Sequence, residues 1–188
     1  MTRKIIQFPN EKILQVYDDL FTYDERLHFI KVITQSYYSV NGSDAIFNLK
    51  TDNVPQIFSS YSEQDLDYIG ILKTKGFKFL DNDHGLLTKQ IKQVRVNLSP
   101  PSERNLVHTD QSGLTFLYYP NLDWRIEWGG HTVFFNETLE EVEYTCLYKP
   151  GRVVVFDGTI PHMIMTPTMM CPIHRYSFAI QFSHINKE

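Results

Sequence analysis

The sequence has few cysteines, no long apolar run and no excess of basic residues. Only Cys146 and Cys171 occur, without CxxC spacing, so neither a thiolate zinc site nor a disulfide framework is indicated. No stretch approaches the roughly 20 apolar residues of a membrane span, and the first apolar run is too short for a signal peptide. A net charge of -4 offers no basic surface for nucleic acid or an anionic membrane. We therefore expect a cytoplasmic protein that binds neither nucleic acid nor membranes.

Apolar and aromatic residues, in contrast, are abundant. Hydrophobic residues make up 42% of the chain and aromatic residues 14%, which is typical of a packed globular protein and not of a disordered one. A chain of 188 residues is long enough for one hydrophobic core and short for two. We predict a single domain over residues 1–188.

Helical patterns dominate the first part of the sequence. Thr22 precedes Glu25 by three residues, which is the spacing of a capping box, and apolar residues recur on one side of the segment that follows. Ser62 begins a second segment of this kind, and Gly76 is its expected carboxyl-terminal stop. The helical part is therefore predicted to cover about residues 1–76.

The pattern changes to short β-strands after this glycine. Seven aromatic and β-branched stretches are separated by turn clusters: FKFL, KQVRVNL, GLTFLYY, HTVFF, VEYTCLY, RVVVF and HRYSFAIQF. Strands in succession, with helices confined to one end, favour a mainly β fold with N-terminal helices. We predict a jelly roll (double-stranded β-helix, cupin-like) over about residues 77–185, packed against those helices.

A histidine and an aspartate stand two residues apart in the stretch LVHTDQSG. Strand side chains alternate between faces, so His108 and Asp110 project to the same side while Thr109 faces away. One imidazole nitrogen and one carboxylate oxygen can then bind one metal ion. A half-buried histidine that is hydrogen-bonded to a nearby carboxylate is the alternative interpretation.

A second histidine follows a valine-rich strand further along the chain. His162 comes after GRVVVFDGTIP, a pattern typical of a buried strand that emerges at the mouth of a barrel. Two histidines and one carboxylate make the facial triad of non-haem Fe(II) oxygenases, which leaves coordination positions open for a co-substrate and O2. A histidine in the core remains the alternative for His162 by itself.

An arginine in the last strand strengthens the oxygenase interpretation. Alternation places Arg175 on the inner face of this strand, while its bulky neighbours share the outer face. A cation inside a barrel must be paired, and the planar guanidinium binds a carboxylate in a bidentate way. A dicarboxylate can bridge the two groups, with a 2-oxo acid on the metal and its far carboxylate on the arginine. Pairing with an internal Asp or Glu is the alternative.

These motifs together resemble a known family. HTD, FLYYPNLDWRIEWGGHTVFF, YKPGRVVVFDGTIPH and RYSFAIQF, in this order, are similar to the prolyl 4-hydroxylase-like branch of the Fe(II)/2-oxoglutarate-dependent dioxygenases, including compact members from bacteria and their phages. The similarity covers about Val94 to Phe182. It implies that His108, Asp110 and His162 are the catalytic iron ligands. It also implies 2-oxoglutarate and O2 as co-substrates, with ascorbate as a reductant.

The resemblance assigns three further residues to 2-oxoglutarate. Arg175 matches the anchor of the distal carboxylate, and Tyr119 matches a tyrosine that hydrogen-bonds this carboxylate in the oxygen-sensing prolyl hydroxylases. Ser177 stands two residues after the arginine, as in the Arg-x-Ser motif of another branch. A tyrosine of the core is the alternative for Tyr119.

Two departures from the family bear on the substrate. Leu98, with Asn97 beside it, stands where the family has a tyrosine about ten residues before the first iron ligand, and Gln181 replaces a tryptophan six residues past the arginine. Both positions border the substrate pocket in that family. The loops SPPSERN and PNLDWRIEW, the latter with Trp124 and Arg125, are expected to form the rim. Asn97, Gln181, Trp124 and Arg125 are thus the candidate substrate-binding residues.

The expected function is hydroxylation of a prolyl or other residue in a peptide or protein, with release of succinate and CO2. A hydroxylase of a free amino acid or another small metabolite is the alternative enzyme. A cupin-like protein that binds a metal or ligand without turnover is the alternative of another class. Gln181 stands where nucleic-acid demethylases have a second arginine, and Asp110 is the carboxylate that the iron halogenases lack.

Overall fold

Two antiparallel sheets and three helices make up the described part of the protein, a computed structural model that covers residues 1–41, 56–101, 105–110 and 112–183. The strands are β1 (Thr2–Gln7), β2 (Ile13–Asp18), β3 (Ser39–Asn41), β4 (Gln56–Ser60), β5 (Ile91–Ser99), β6 (Leu114–Tyr118), β7 (Thr132–Phe135), β8 (Val142–Cys146), β9 (Val153–Asp157), β10 (His162–Ile164) and β11 (Arg175–Phe182). The α-helices are α1 (Tyr23–Thr34), α2 (Glu63–Ile69) and α3 (Lys75–His84), and short 3-10 turns occupy Ile71–Lys73, Leu86–Thr88 and Ile126–Trp128.

The larger sheet has eight strands in the order β1-β2-β9-β6-β11-β5-β4-β3, and the smaller sheet has the order β10-β7-β8. All neighbouring strands are antiparallel. The predicted mainly β architecture with helices, the double-stranded β-helix, is therefore confirmed. None of the described helices has the length and apolar character needed to cross a membrane.

The helices pack on the outer face of the larger sheet. Phe29 of α1 lies edge-on to Tyr118, and Phe77 of α3 lies against Phe116, in one buried cluster of aromatic and aliphatic side chains. A second cluster fills part of the space between the sheets and includes Phe134. The outer cluster fixes the positions of these strands. Their opposite faces carry the polar residues described below.

Both capping boxes that the sequence predicts are present. The Thr22 hydroxyl accepts a hydrogen bond from the Glu25 backbone N–H, while the Glu25 carboxylate accepts one from the Thr22 N–H. Ser62 makes the corresponding pair with Asp65 at the start of α2. The helices therefore begin where the sequence places them, since these side chains satisfy the first free backbone donors.

The predicted helix stop at Gly76 is wrong. Helix α2 ends earlier, at Gly70, which takes a left-handed conformation with φ of 73°. Gly76 lies inside α3, where a Cβ atom would stand 2.3 Å from the carbonyl oxygen of Leu20. Glycine is needed there for close packing of the helix against the chain, not for a change of direction.

The boundary between helical and β parts also differs from the prediction. FKFL is not a strand: it lies in α3, where the Thr74 hydroxyl accepts the Phe77 N–H and where Phe77 and Leu80 bury one helical face. Such a short apolar run fits both periods equally well. Strands β1 to β4 lie within the segment 1–76 that was expected to be helical. β1 and β2 extend the larger sheet beyond β9, and β4 and β3 extend it beyond β5.

Candidate metal centre and adjoining pocket

Backbone pairing brings the two predicted metal-binding segments together. The N–H of His108 donates to the carbonyl of His162 over 3.0 Å, and the N–H of His162 donates back over 2.9 Å. The N–H of Asp110 donates to the carbonyl of Gly158 at 2.8 Å, in the turn after β9. These bonds hold residues that are 54 positions apart in one fixed arrangement, because each segment uses the other to satisfy its backbone.

His108, Asp110 and His162 form one cluster. Their ligand atoms all lie within 4.8 Å of one another. The Asp110 Oδ1 atom is 3.9 Å from His108 Nε2 and 3.8 Å from His162 Nε2. Both distances are too long for hydrogen bonds, so a direct histidine–carboxylate hydrogen bond does not explain the arrangement. The three atoms point at a common space.

Hydrogen bonds outside this space orient the ligand atoms. The Nδ1 atoms of His108 and His162 lie 3.1 Å and 2.9 Å from the carbonyl oxygens of Leu106 and Ile160. Because a carbonyl only accepts, each Nδ1 carries the proton and each Nε2 presents a lone pair to the cluster. These contacts select the tautomer that a metal ion requires.

The aspartate is oriented in the same manner. The hydroxyl of Thr115 donates to Asp110 Oδ2 over 2.6 Å, which leaves Oδ1 directed at the histidines. Thr115 is buried and its hydroxyl also lies 3.1 Å from that of Ser112. One oxygen of the carboxylate is therefore used by the protein and the other is available to a metal.

Burial keeps His162 neutral. It lowers the pKa of this imidazole to about 4, although the charge of Asp110 acts in the opposite direction. Phe134 stacks on the ring with a centroid distance of 5.7 Å, and Phe156 approaches it edge-on at 5.0 Å. Only a neutral imidazole can donate its lone pair, so this apolar setting suits a ligand. Two imidazole nitrogens and one carboxylate fit a divalent iron ion.

Arg175 lies fully buried between the two sheets, as its place in the sequence predicts. Its Nε donates to the carbonyl of Gly130 over 2.7 Å, and one terminal nitrogen lies 3.4 Å from the hydroxyl of Thr132. The guanidinium stands over the rings of Tyr119 and Tyr148, at 5.3 Å and 4.8 Å from their centroids. The arginine is thus held by one carbonyl and a cage of aromatic rings.

Gly130 is required for this arrangement. Its φ is 73°, and a Cβ atom would lie 2.9 Å from Trp124 Cζ2 and 3.1 Å from Arg175 Cδ. Both the left-handed conformation and the close approach exclude a side chain. The GG pair before β7 therefore sets the position of the guanidinium.

The other two residues predicted to bind 2-oxoglutarate lie next to Arg175. Tyr119 is buried and its hydroxyl donates to that of Thr132 over 2.8 Å. Ser177 is fully buried, lines the cavity, and its Oγ has no hydrogen-bond partner. A buried hydroxyl without a partner is unfavourable, so Ser177 is suited to an anionic ligand that enters the cavity. Tyr119 has the properties of a core tyrosine as well, since its hydroxyl is already bonded.

A cavity of about 410 Å³ joins the metal cluster to Ser177, whereas neither Arg175 nor Tyr119 is among its described lining residues. Its walls include the three residues of the metal cluster together with Thr132 and Ser177 on the side of Arg175. On the side of β4 and β5 it is lined by Gln56, Ile57, Gln93, Arg95, Asn97, Leu98, Ser99, Asn105 and Gln181. The volume lies in the range of about 300–1,000 Å³ that small-molecule sites occupy, with room for more than one ligand group.

The four candidate substrate residues separate into two pairs. Asn97 and Gln181 line the cavity. Trp124 and Arg125 are not among its described lining residues. The indole of Trp124 packs on Tyr148 and donates to the Gly129 carbonyl at 3.0 Å, and Arg125 is exposed over the ring of Trp128. Residues 102–104 of the other predicted rim loop lie outside the described residues.

Several lining residues were missed in the sequence, among them Thr115, Thr132, Gln93 and Asn105. The Thr115 hydroxyl donates to Asp110, and the Thr132 hydroxyl lies near the Arg175 guanidinium. Nothing in the sequence pattern around either threonine marks it as a site residue. Gln93 lies on the inner face of β5, four residues before Asn97. Strand alternation from Asn97 could therefore have predicted that Gln93 faces the cavity. Asn105 lies in the irregular segment before His108, where no periodicity operates.

Solved structures of known enzymes share this fold. An oxidoreductase of the 2OG-Fe(II) oxygenase family from Burkholderia pseudomallei matches with a TM-score of 0.68 and 12% identity over 90% of this chain and 84% of the other. A prolyl-4-hydroxylase from Pseudomonas putida matches with a TM-score of 0.62 and 15% identity over 91% and 92%. A viral collagen prolyl hydroxylase from Paramecium Bursaria Chlorella virus-1, solved with 2OG, gives 0.62 and 14% over 91% and 96%.

By sequence, no protein-family model and no curated protein matches the chain. The structural matches agree with the resemblance seen in the motifs, and at identities of 12% to 15% they establish the fold. The chain therefore has the double-stranded β-helix fold of the 2OG-Fe(II) oxygenases, prolyl hydroxylases among them.

Proposed function

We propose that the protein is an Fe(II)- and 2-oxoglutarate-dependent dioxygenase that hydroxylates a residue of a peptide or protein, with proline as the first candidate. The observation that carries the proposal is one cavity that holds the His108, Asp110 and His162 cluster and reaches Thr132 and Ser177 beside a buried arginine. A protein that only binds a metal has no need of such a cation inside its barrel. The fold shared with 2OG-Fe(II) oxygenases supports the same assignment.

The protein's own residues perform the binding steps. His108, His162 and Asp110 would hold the iron, because the Leu106 and Ile160 carbonyls and the Thr115 hydroxyl fix the orientation of their ligand atoms. Arg175 binds the far carboxylate of 2-oxoglutarate, and Ser177 donates its otherwise unpartnered hydroxyl to the same group. With iron and 2-oxoglutarate bound, activation of O2 couples decarboxylation to succinate and CO2 with transfer of one oxygen atom to a substrate C–H bond.

The proposal extends to the reaction conditions. O2 is the oxidant, and ascorbate is the reductant that maintains ferrous iron. The cytoplasm is the proposed compartment, a choice supported by Cys146 and Cys171, which are both buried as free thiols.

Turnover is the direct test of this function. The iron-loaded protein is incubated with 2-oxoglutarate, O2 and ascorbate, and with blocked proline-containing peptides or free amino acids. Succinate release and a mass gain of one oxygen atom in a peptide are the expected results. His108→Ala is expected to abolish both, while His28→Ala, a change at an exposed histidine on α1, leaves them unchanged.

Two outcomes would replace the proposal. Hydroxylation of a free amino acid as efficient as that of any peptide containing it would assign the protein to small metabolites. No succinate release with any substrate, together with tight metal binding, would assign it to cupin-like binding proteins.

A further inference from the structure

One wall of the cavity is made of side-chain amides. Five of them line it, and we call this set the amide wall: Gln56, Gln93, Asn97, Asn105 and Gln181. No side-chain hydrogen bond joins any of the five to another described residue, and the Asn97 Oδ1 and Asn105 Nδ2 atoms are buried without a partner. This arrangement is unusual, because most buried polar atoms in proteins are hydrogen-bonded.

A buried amide elsewhere in the same protein shows the structural alternative. The Asn121 side chain donates to the carbonyl of His174 over 3.0 Å and accepts from the backbone N–H of Tyr176 and from the hydroxyl of Tyr148. Every group of that amide serves to join segments of the chain. The amide wall makes no such connections, so its residues are not explained by folding.

The wall begins beside the metal cluster. Gln93 of β5 and Gln181 of β11 are directly opposite each other in the strand register. Gln181 is also opposite Thr115 of β6, whose hydroxyl donates to Asp110. Groups bound by these glutamines are therefore next to the position where chemistry takes place.

The wall is too long for one amino acid. Asn97 follows Gln93 by four residues on the same face of β5 and is opposite Ser177. Four residues of extended strand span about 13 Å. Between the two ends, Arg95 of β5 and Ala179 of β11 are opposite each other, and both line the cavity. The length corresponds to about four residues of an extended peptide.

Recognition along this wall has to come from side chains. Strand β5 lies between β4 and β11 and is paired with both, so its backbone cannot bind an added strand. A carboxamide has both a donor and an acceptor, which matches the N–H and C=O of a peptide group. None of the five residues of the amide wall is aromatic, and Leu98 and Gln181 stand where the family has a tyrosine and a tryptophan.

Building on the proposed function, we propose that the amide wall binds the main chain of an extended peptide substrate. Its amides exchange hydrogen bonds with the peptide groups next to the residue that is hydroxylated. Affinity then depends on the number of backbone amides in reach and little on the flanking side chains. Free amino acids occupy only the end near the metal and bind more weakly.

The test measures binding without turnover. The protein is loaded anaerobically with Fe(II) and 2-oxoglutarate, and Kd is measured calorimetrically for a blocked heptapeptide of alanines with a central proline. Analogues replace one amide at a time by an ester, which removes the N–H donor. At least one ester in the flanking positions is expected to raise Kd about three- to tenfold, the effect of one hydrogen bond.

Matched variants locate the contact. Gln93→Met, Gln181→Met and Asn97→Leu keep the side-chain size and remove the amide. Each is expected to raise the Kd of the all-amide peptide about three- to tenfold, and the ester that contacts the changed residue is then expected to cost nothing further. Gln35→Met, at an exposed glutamine outside the cavity, is the control. Melting temperatures within a few degrees of the control show that the variants are folded.

Some results would overturn the inference. One is that all ester analogues bind the native protein as tightly as the amide peptide, or that the variants have an unchanged Kd. Another is that no peptide binding is detected, or that free proline binds as tightly as the peptide. Failure of the proposed function is a different result, because native protein that binds neither Fe(II) nor 2-oxoglutarate shows it before any peptide is added.

Discussion

The two faces of the larger sheet are built from the same strands but by opposite rules. On β11, Phe178, Ile180 and Phe182 are buried in the outer cluster under the helices, where apolar groups fill the space. On the other face of this strand, Ser177 and Gln181 line a cavity, and the buried Ser177 hydroxyl has no hydrogen-bond partner. The outer face is explained by stability alone. The inner face is explained only when ligands are included.

The presence of buried polar residues does not by itself distinguish the cavity from the packed interior. Asn121, Tyr148 and Tyr176 form a polar network in the interior, and every polar group of the Asn121 side chain has a partner. Asn97, Asn105 and Ser177 are the contrasting case, because each has a buried polar atom without one. Unsatisfied polar atoms in a cavity, and not buried polar residues in general, mark the functional face.

The largest expected effect is the loss of packing on the outer face. Phe178 is fully buried and its ring makes edge-on contacts with those of Tyr61 and Phe116. Phe178→Ala is expected to lower the free energy of unfolding by about 3–5 kcal/mol, since it leaves a cavity. Urea unfolding measures this quantity. A loss below about 1 kcal/mol, the typical value for any substitution, would contradict the assignment of this face to the core.

The inner face is tested next by a change of charge geometry. Arg175→Lys keeps the positive charge but replaces the planar fork by a point charge. We expect 2-oxoglutarate binding to weaken by on the order of 2 kcal/mol or more, about 30-fold in Kd, while the metal affinity stays nearly the same. Anaerobic calorimetry of the iron-loaded protein measures both. An unchanged affinity for 2-oxoglutarate would assign Arg175 to a structural role.

A pair of asparagine variants compares satisfied with unsatisfied amides. Asn121→Ala removes the partners of the Tyr176 N–H and the His174 carbonyl, so we expect a loss of about 1–2 kcal/mol in the free energy of unfolding. Asn97→Ala removes no hydrogen bond and is expected to cost clearly less. Urea unfolding of both variants under the same conditions gives the comparison. Equal losses would show that Asn97 has a structural function.

The smallest expected effect is at Ser177. Ser177→Ala removes a buried hydroxyl without a partner, so the free energy of unfolding is expected to stay the same or to rise slightly. The affinity for 2-oxoglutarate is expected to fall by about 0.5–1.5 kcal/mol, the net value of one hydrogen bond. Parallel unfolding and calorimetric titrations distinguish the two effects. A clear loss of stability with an unchanged affinity for 2-oxoglutarate would show that Ser177 has a structural role.

Much of the fold follows from local patterns in the sequence. The two capping boxes and the alternation of β11 give correct helix starts and a correct strand face, because both depend on near neighbours. Strand β1 was missed because it lies at an edge of the sheet and is largely exposed, so it lacks the alternation of a half-buried strand. The run FKFL was assigned to a strand because four residues do not establish a period.

The candidate site, like the fold, could be predicted from the sequence only in part. His108, Asp110, His162 and Arg175 are found in the sequence because the combination of two histidines and a carboxylate is a metal-ligand set and because a cation inside a barrel is unusual. The amide wall depends on which strands are neighbours, since Gln93 and Gln181 meet only across the β5–β11 pair. Register of this kind is a property of the tertiary structure and no local pattern specifies it.

The most direct test of the proposed function is the spectrum of the assembled centre. Anaerobic addition of Fe(II) and then 2-oxoglutarate to the native protein is expected to produce the weak visible charge-transfer band of the chelate, and Asp110→Ala is expected to abolish it. The same titration with His28→Ala is expected to match the native protein, because this histidine is exposed on α1. A closed tetrahedral site that binds zinc and refuses 2-oxoglutarate, or a band that persists in Asp110→Ala, would contradict the facial triad.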